Sequence, residues 1–218
     1  MILPNQDKAF EYENNFYLSC DATRMGKALA QSSLLERVAG VDGDIVECGV
    51  FKGASFARLS MYRKLFKIEH KRMIGFDSFG RFPDANIEGD KVLRSRFVDD
   101  AGDQSITTEN LTKVLSNKKC VDNVELIKGD IIDTVPDYVK RHPELQISFL
   151  NLDVDVYEPS VIILKYFYPL MSKGAVLLLD NYGTFPGETN AVDEYFQGQN
   201  VRIEKGLLPG APPFIIKG

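Results

Sequence analysis

Two apolar runs in this chain end abruptly in carboxylates. Asn151-Leu152 leads into Asp153-Val-Asp155-Val-Tyr-Glu-Pro159, and Leu177-Leu-Leu179 leads into Asp180-Asn181-Tyr-Gly183. A short, continuously apolar run is the pattern of a strand buried on both faces of a parallel sheet, and such a sheet delivers the residues after its strands to one rim. Two acidic rims side by side point to a metal-assisted site.

The same pattern recurs along the chain. Strand-like runs at Asp44 to Val50, Arg72 to Asp77, Val124 to Lys128, Gln146 to Leu152 and Ala175 to Asp180 alternate with helical patterns. The helical patterns lie at Ala54 to Phe66, Glu109 to Ser116, Pro136 to Arg141 and Ser160 to Met171, with Pro143 and Gly174 as stops for the last two. The alternation predicts a doubly wound α/β fold with helices on both sheet faces. At the tail, Asn200 to Glu204 and Pro213 to Lys217 are joined too briefly for a helical crossover, so an antiparallel closing hairpin is expected.

Two segments fall outside this rhythm. Residues 80 to 106, with Arg81, Pro83, Asp84, Gly89, Asp99, Asp100 and Gly102, form a polar insertion of the kind that serves as a lid or substrate loop. The first forty residues carry a helix expected around Met25 to Val38 and are placed as a cap over the site. With 218 residues and 44% of them hydrophobic, a single domain spanning residues 1–218 is expected.

A net charge of -5 argues against a general polyanion binder, so no nucleic acid partner is expected. Three widely spaced cysteines, Cys20, Cys48 and Cys120, encode neither a disulfide framework nor a Cys-x-x-Cys metal site, which fits a reducing cytoplasm. The opening Met-Ile-Leu-Pro-Asn lacks a signal-peptide pattern, and no apolar run approaches the roughly 20 residues of a membrane span. A soluble, cytoplasmic protein without a membrane partner is expected.

The cofactor signal comes directly after the first strand. Glu47-Cys-Gly49-Val-Phe-Lys-Gly53-Ala-Ser55 places glycines where a ligand can approach the backbone and where the next helix offers unpaired N–H groups. Its Gly-x-x-x-Gly spacing is not the Gly-x-Gly-x-x-Gly of a dinucleotide site, and Glu47 repels a pyrophosphate while favouring a cationic amino group. Asp77 ends the second strand in a carboxylate suited to two ribose hydroxyls, and Asp130 lies just beyond the third strand where it can accept from an exocyclic amine. Ammonium, ribose and adenine together describe S-adenosylmethionine. Singly, a glycine pair after a strand is more often a turn than a cofactor loop, and Asp77 or Asp130 is most simply a helix cap or a solvated loop acid.

These motifs in order, Glu47-Cys-Gly49-Val-Phe-Lys-Gly53, Phe76-Asp77-Ser78-Phe79-Gly80 with Pro83, Leu152-Asp153 with Asp155, Tyr157 and Glu158, and Asp180-Asn181-Tyr182-Gly183, resemble the macrocin O-methyltransferase (TylF/MycF/NovP-like) family. The resemblance covers most of the chain and implies that residues 1–218 form one methyltransferase domain. It implies a Rossmann-like class I methyltransferase fold: a mostly parallel seven-stranded sheet, an antiparallel C-terminal hairpin and an N-terminal helical cap. It also implies transfer of a methyl group from S-adenosylmethionine to a sugar hydroxyl of a glycosylated natural product, with a divalent metal, typically magnesium.

Residue by residue, the resemblance puts Glu47, Gly49, Gly53, Ser55, Asp77, Ser78 and Asp130 around the cofactor. It makes Asp153, Asp180 and Asn181 the metal ligands and Asp155 the general base. The chain departs from the family where Asn181 stands for a second consecutive acid; an amide oxygen can ligate a hard cation but adds no charge. A metal ion lowers the pKa of a bound hydroxyl, and a nearby carboxylate can then take its proton. Glu158 is expected to cap the following helix with Pro159 in its first turn, and His70 and His142 to lie at the surface. Phe79, Phe82 and Tyr182 are candidates for the acceptor pocket or for the core. The cap is a natural contact for a homodimer or higher homo-oligomer. Two other readings stay open: a noncatalytic cofactor-binding or partner-binding protein whose metal site has degraded, and different chemistry on the same scaffold.

Overall fold

The computed structural model describes residues 2–81 and 88–218, with side chains from residue 90 onward in the second stretch. Phe82, Pro83 and Asp84 of the expected insertion lie outside the described residues. Five parallel strands, β1 (Asp44–Cys48), β2 (Met73–Asp77), β3 (Val124–Lys128), β4 (Ile147–Leu152) and β5 (Met171–Leu179), and one antiparallel strand, β6 (Phe214–Ile216), form a single sheet in the order β3-β2-β1-β4-β5-β6.

The strand order reverses direction between β1 and β4, so the crevice beyond their carboxyl ends is the topological switch point where such sheets bind ligands. The registers bring the strand tips level: Cys48 sits opposite Phe76 on one side and Leu152 on the other, and Leu152 opposite Leu179. That levelling carries Gly49, Asp77, Asp153 and Asp180 to the same edge.

Alternation along each strand divides the core. Val46, Ile74, Leu150 and Leu177 face one layer, which includes Val135 of α6 (Ile131–Arg141), Ile163 of α7 (Tyr157–Phe167) and Val192 of α8 (Pro186–Phe196). Ile45, Met73, Phe149 and Val176 face the other, with Leu35 of α2 (Ala22–Arg37), Phe56 of α3 (Ala54–Leu65) and Leu111 of α5 (Thr108–Asn117). Each such side chain contributes about 1.5–3 kcal/mol on burial, so the sheet is held from both faces.

The sheet has six strands among the described residues where seven are expected. Asn200 to Glu204 forms one isolated bridge, Glu204 to Phe214, instead of a strand. Pro212 and Pro213 precede Phe214, and neither carries an N–H with which to extend a ladder. At the other end of the hairpin, β5 begins at Met171, within the expected helix. Gly174, expected as a helix stop, has φ +84° where the β4 pairing jumps from Met171 to Val176, so it marks a bulge.

The expected polar insertion contains a helix, α4 (Glu88–Ala101). Before the sheet, α1 (Ala9–Ser19) precedes α2, which packs on α3. Pro186 to Phe196, not expected to be helical, forms α8 with Pro186 opening its first turn. Glu158 lies inside the first turn of α7 instead of at its cap, which is Val156; an acid there still complements the helix dipole. No helix among the described residues is long and apolar enough to cross a membrane.

Candidate active site

A cavity of about 1270 Å³ opens at the strand tips. Gly49, Ser55, Asp77, Ser78, Asp130, Asp153, Asp155, Asp180 and Asn181 all line it, together with Phe16 and Tyr17 of α1, Met25 and Lys27 of α2, and Phe97 of α4. Two of the expected cofactor residues do not: Glu47 and Gly53 are buried beneath the lining. Gly53 opens α3 and contacts the core.

The loop after β1 is fastened to the loop after β2. Asp77 Oδ2 accepts from the backbone N–H groups of Val50, at 3.0 Å, and Phe51, at 2.9 Å, while Oδ1 accepts from Phe79 at 2.6 Å. A carboxylate offers about four lone-pair sites, and besides the three backbone donors the Ser78 hydroxyl lies 3.4 Å from Oδ1. Asp130 is the N-cap of α6, accepting from Ile132 N–H at 2.9 Å, and still reaches the cavity wall.

Glu47 is fully buried in β1, where Ser55 Oγ donates to its Oε1 and its Oε2 has no protein partner. Burial pushes its pKa to about 8, against the opposing hydrogen bond from Ser55. The folded state thus binds a proton that the unfolded chain releases near 4.5, and stability falls as pH climbs between about 4.5 and about 8. Glu47→Gln is expected to flatten that part of the thermal-unfolding profile. An unchanged slope in melting temperature from pH 5 to 8 would show that Glu47 does not titrate there.

Beyond β4 and β5 lies the acidic group. Asp153 is pushed well above the carboxylate range by burial and by Asp180, with Lys27 opposing. Asp155 comes next at φ +64°, a left-handed backbone that turns it away from the direction an extended strand would give it. Burial first, then Asp180 and Asp90, raise Asp155 to about 7, with Lys27 again opposing. Asn181 Nδ2 donates to Asp153 Oδ1 at 2.9 Å, and Asn181 N–H donates to Glu188 Oε1 at 3.0 Å.

Lys27 reaches into this group from α2. Its Nζ lies 2.5 Å from Asp180 Oδ2, while Asp180 Oδ1 is buried without a protein partner. Burial lowers the Lys27 pKa, and the charges of Asp180 and Asp153 more than offset that. A divalent ion needs oxygen ligands turned toward a common point. Here one Asp180 oxygen holds an ammonium, one Asp153 oxygen holds an amide N–H, and Asn181 turns its nitrogen to Asp153. The donor set in this arrangement does not fit the implied magnesium.

Several site residues escape sequence reasoning. Lys27 continues the stripe of Gln31, Leu34 and Leu35 on α2, and Glu188 continues that of Ala191, Val192 and Phe196 on α8, so a polar residue on a buried helical face was the available signal. Asp90 of α4 is buried and accepts from Gly187 N–H at 2.9 Å, tying the insertion to the start of α8. The aromatic lining differs as well. Phe79 is in the core and Tyr182 donates to Asp193, whereas Phe51, Phe97 and Phe185 face the cavity. His70 is exposed, and His142 is half-buried, stacked on Tyr138.

Comparison with known proteins agrees with this architecture. Residues 22–206 match the profile of the macrocin O-methyltransferase (TylF) family. The chain is 27% identical over 157 residues to a demethyldecarbamoylnovobiocin O-methyltransferase of Streptomyces niveus, covering 71% of this chain and 58% of that one. It is 26% identical over 145 residues to the 8-demethyl-8-(2,3-dimethoxy-alpha-L-rhamnosyl)-tetracenomycin-C 4'-O-methyltransferase of Streptomyces olivaceus, covering 66% and 54%. The chain thus spans little more than half the length of these curated relatives. A crystal structure of a calicheamicin methyltransferase superposes with a TM-score of 0.78 at 26% identity, over 98% of this chain and 87% of that one. The chain belongs to the macrocin O-methyltransferase (TylF) family.

Proposed function

We propose that this protein transfers a methyl group from S-adenosylmethionine to a hydroxyl of a sugar-containing small molecule, with Asp155 as the general base. One observation carries the reading: a single cavity at the switch point is lined by Gly49, Asp77, Asp130 and Asp155. Its acids suit a ligand rich in donors, with an ammonium, ribose hydroxyls and an exocyclic amine. Its volume exceeds the roughly 300–1,000 Å³ typical of one small-molecule site, leaving space for an acceptor beside the cofactor.

When bound, S-adenosylmethionine supplies a methyl group on a positively charged sulfur. The chain's own residues do the rest. Ser55, Asp77, Ser78 and Asp130 orient the cofactor along the loops after β1, β2 and β3. Phe51 and Phe97, whose rings are 5.1 Å apart, provide an apolar wall for the face of a sugar ring. Asp155 accepts the proton of the attacking hydroxyl on a carboxylate oxygen, and its raised pKa makes it a stronger base than an exposed aspartate. The relative from Streptomyces olivaceus, whose name specifies a rhamnosyl substrate, supports a deoxysugar acceptor.

Calorimetry with S-adenosylmethionine, followed by assays with methyl-labelled cofactor and a panel of rhamnosylated acceptors, tests the reading. Binding at one site per chain and label recovered on the sugar are expected. Absence of cofactor binding would end the proposal, and binding without transfer across the panel would favour the noncatalytic alternative.

A further inference from the structure

We infer that Lys27 supplies, from within the chain, the positive charge that Asp153 and Asp180 need, in the place where the family resemblance leads one to expect a divalent ion. The inference rests on the proposed methyl transfer only for its purpose; the placement of the charge stands on geometry. Asp153 and Asp180 follow the neighbouring strands β4 and β5, beside the switch point between β1 and β4, and Asp180 is almost wholly buried, with 3% side-chain exposure. A carboxylate as deep as Asp180 needs a counter-charge close by. Lys27 provides it at 2.5 Å from Asp180 Oδ2, reaching across from a helix 153 residues earlier in the chain. Asn181 completes the arrangement: its amide adds no negative charge and directs a donor at Asp153, as a neighbour of carboxylates does when no metal must be shared.

The consequence concerns both the cation and the cap. An ammonium has three donors, of which the Asp180 contact uses one, so Lys27 is left with donors facing the cavity it lines. As a positioning residue it holds Asp180 and fixes α2 over the site. The surrounding groups fit this role: Asp155 lies close enough to Asp180 to feel its charge, burial holds Glu188 well above the carboxylate range, and Arg58, another nearby cation, is engaged by Gln31 Oε1 at 2.9 and 2.6 Å. Lys27 thus completes the site that a metal would otherwise complete.

Manganese binding read by electron paramagnetic resonance tests this without cofactor or acceptor, so its outcome is independent of whether methyl transfer occurs. The intact protein, Lys27→Met and Lys27→Met/Asn181→Asp are titrated with Mn²⁺, and Asp180→Asn is added to the first and the last of these, with circular dichroism reporting folding. The intact protein is expected to show no manganese signal that Asp180→Asn removes. Lys27→Met/Asn181→Asp is expected to bind one ion per chain at least about tenfold more tightly, equivalent to about 1.4 kcal/mol, and to lose it on Asp180→Asn. A stoichiometric, Asp180-dependent ion on the intact protein would overturn the inference. So would a folded Lys27→Met/Asn181→Asp protein that gains no binding; if that variant fails to fold, the intact protein and its Asp180→Asn variant decide alone. Turnover gives a second readout: EDTA should leave it unchanged, and full loss with restoration by Mg²⁺ would also overturn the inference.

Discussion

Asp155→Asn is expected to lower turnover by about 10²–10⁴-fold, the usual contribution of a positioned general base, while leaving S-adenosylmethionine affinity nearly intact. Asparagine is the informative replacement. Asp155 has φ +64°, and asparagine tolerates a left-handed backbone almost as well as aspartate, whereas alanine adds strain of roughly 1–2 kcal/mol that would confuse a catalytic loss with a structural one. The amide keeps the shape and cannot take a proton. The pH profile separates the roles further. With its pKa raised to about 7 by burial and by Asp180 and Asp90, Asp155 is ionised above that pH and protonated below it. Turnover should therefore climb as pH rises through about 7, and Asp155→Asn should lose that limb. Full activity in Asp155→Asn, or an unchanged limb in its residual rate, would remove Asp155 as the base.

Gly49→Ala carries the largest expected effect on stability. Gly49 has φ +92°, and its N–H donates to Phe76 O at 2.9 Å while Asp153 N–H donates to Cys48 O at 2.9 Å. The tips of β1, β2 and β4 are stitched together at this point. A Cβ here would overlap the Asp153 carbonyl oxygen and lie 2.6 Å from its carbonyl carbon, and backbone cannot rotate aside as a side chain can. Strain at positive φ and overpacking together suggest a loss of roughly 2–6 kcal/mol. At about 2–4 °C per kcal/mol for a chain of this size, the melting temperature should fall by roughly 5–20 °C. The same shift would move Asp153 and Asp155, so any folded protein should also lose turnover. A melting temperature within a degree or two of the parent would contradict the close approach of these loops.

The strands and their acidic ends were legible because burial on both faces of a parallel sheet forces long apolar runs, and Ile147 to Leu152 is buried throughout. The boundaries of β1 to β4 came close to the expected ones for the same reason. What failed was local and had local causes. Gly174 reads as a helix stop and as a bulge with equal ease, since both use positive φ, and the difference lies in the partner strand. The stretch Asn200 to Glu204 has a strand's composition, but the prolines across from it lack the donors to complete a ladder.

The site was legible in its strand-borne half. Asp153, Asp155, Asp180 and Asn181 come together because registers set by apolar pairing fix where each strand stops. Lys27, Asp90 and Glu188 arrive on helices from elsewhere in the chain, and one-dimensional spacing does not say which tip a helix will cover. The left-handed backbone at Asp155 departs from the alternation of an extended strand, which would place it on the same side as Asp153.

In the proposed reaction, cofactor and acceptor meet over Asp155. A crystal structure of the protein with S-adenosylhomocysteine and a rhamnosylated acceptor tests it most directly. The adenine is expected beside Asp130, the ribose at the Asp77 loop, the amino-acid end at Gly49, and an acceptor hydroxyl within hydrogen-bond reach of Asp155, about 2.6–3.2 Å. A cofactor bound away from the strand tips, or a sulfur facing away from Asp155, would contradict it.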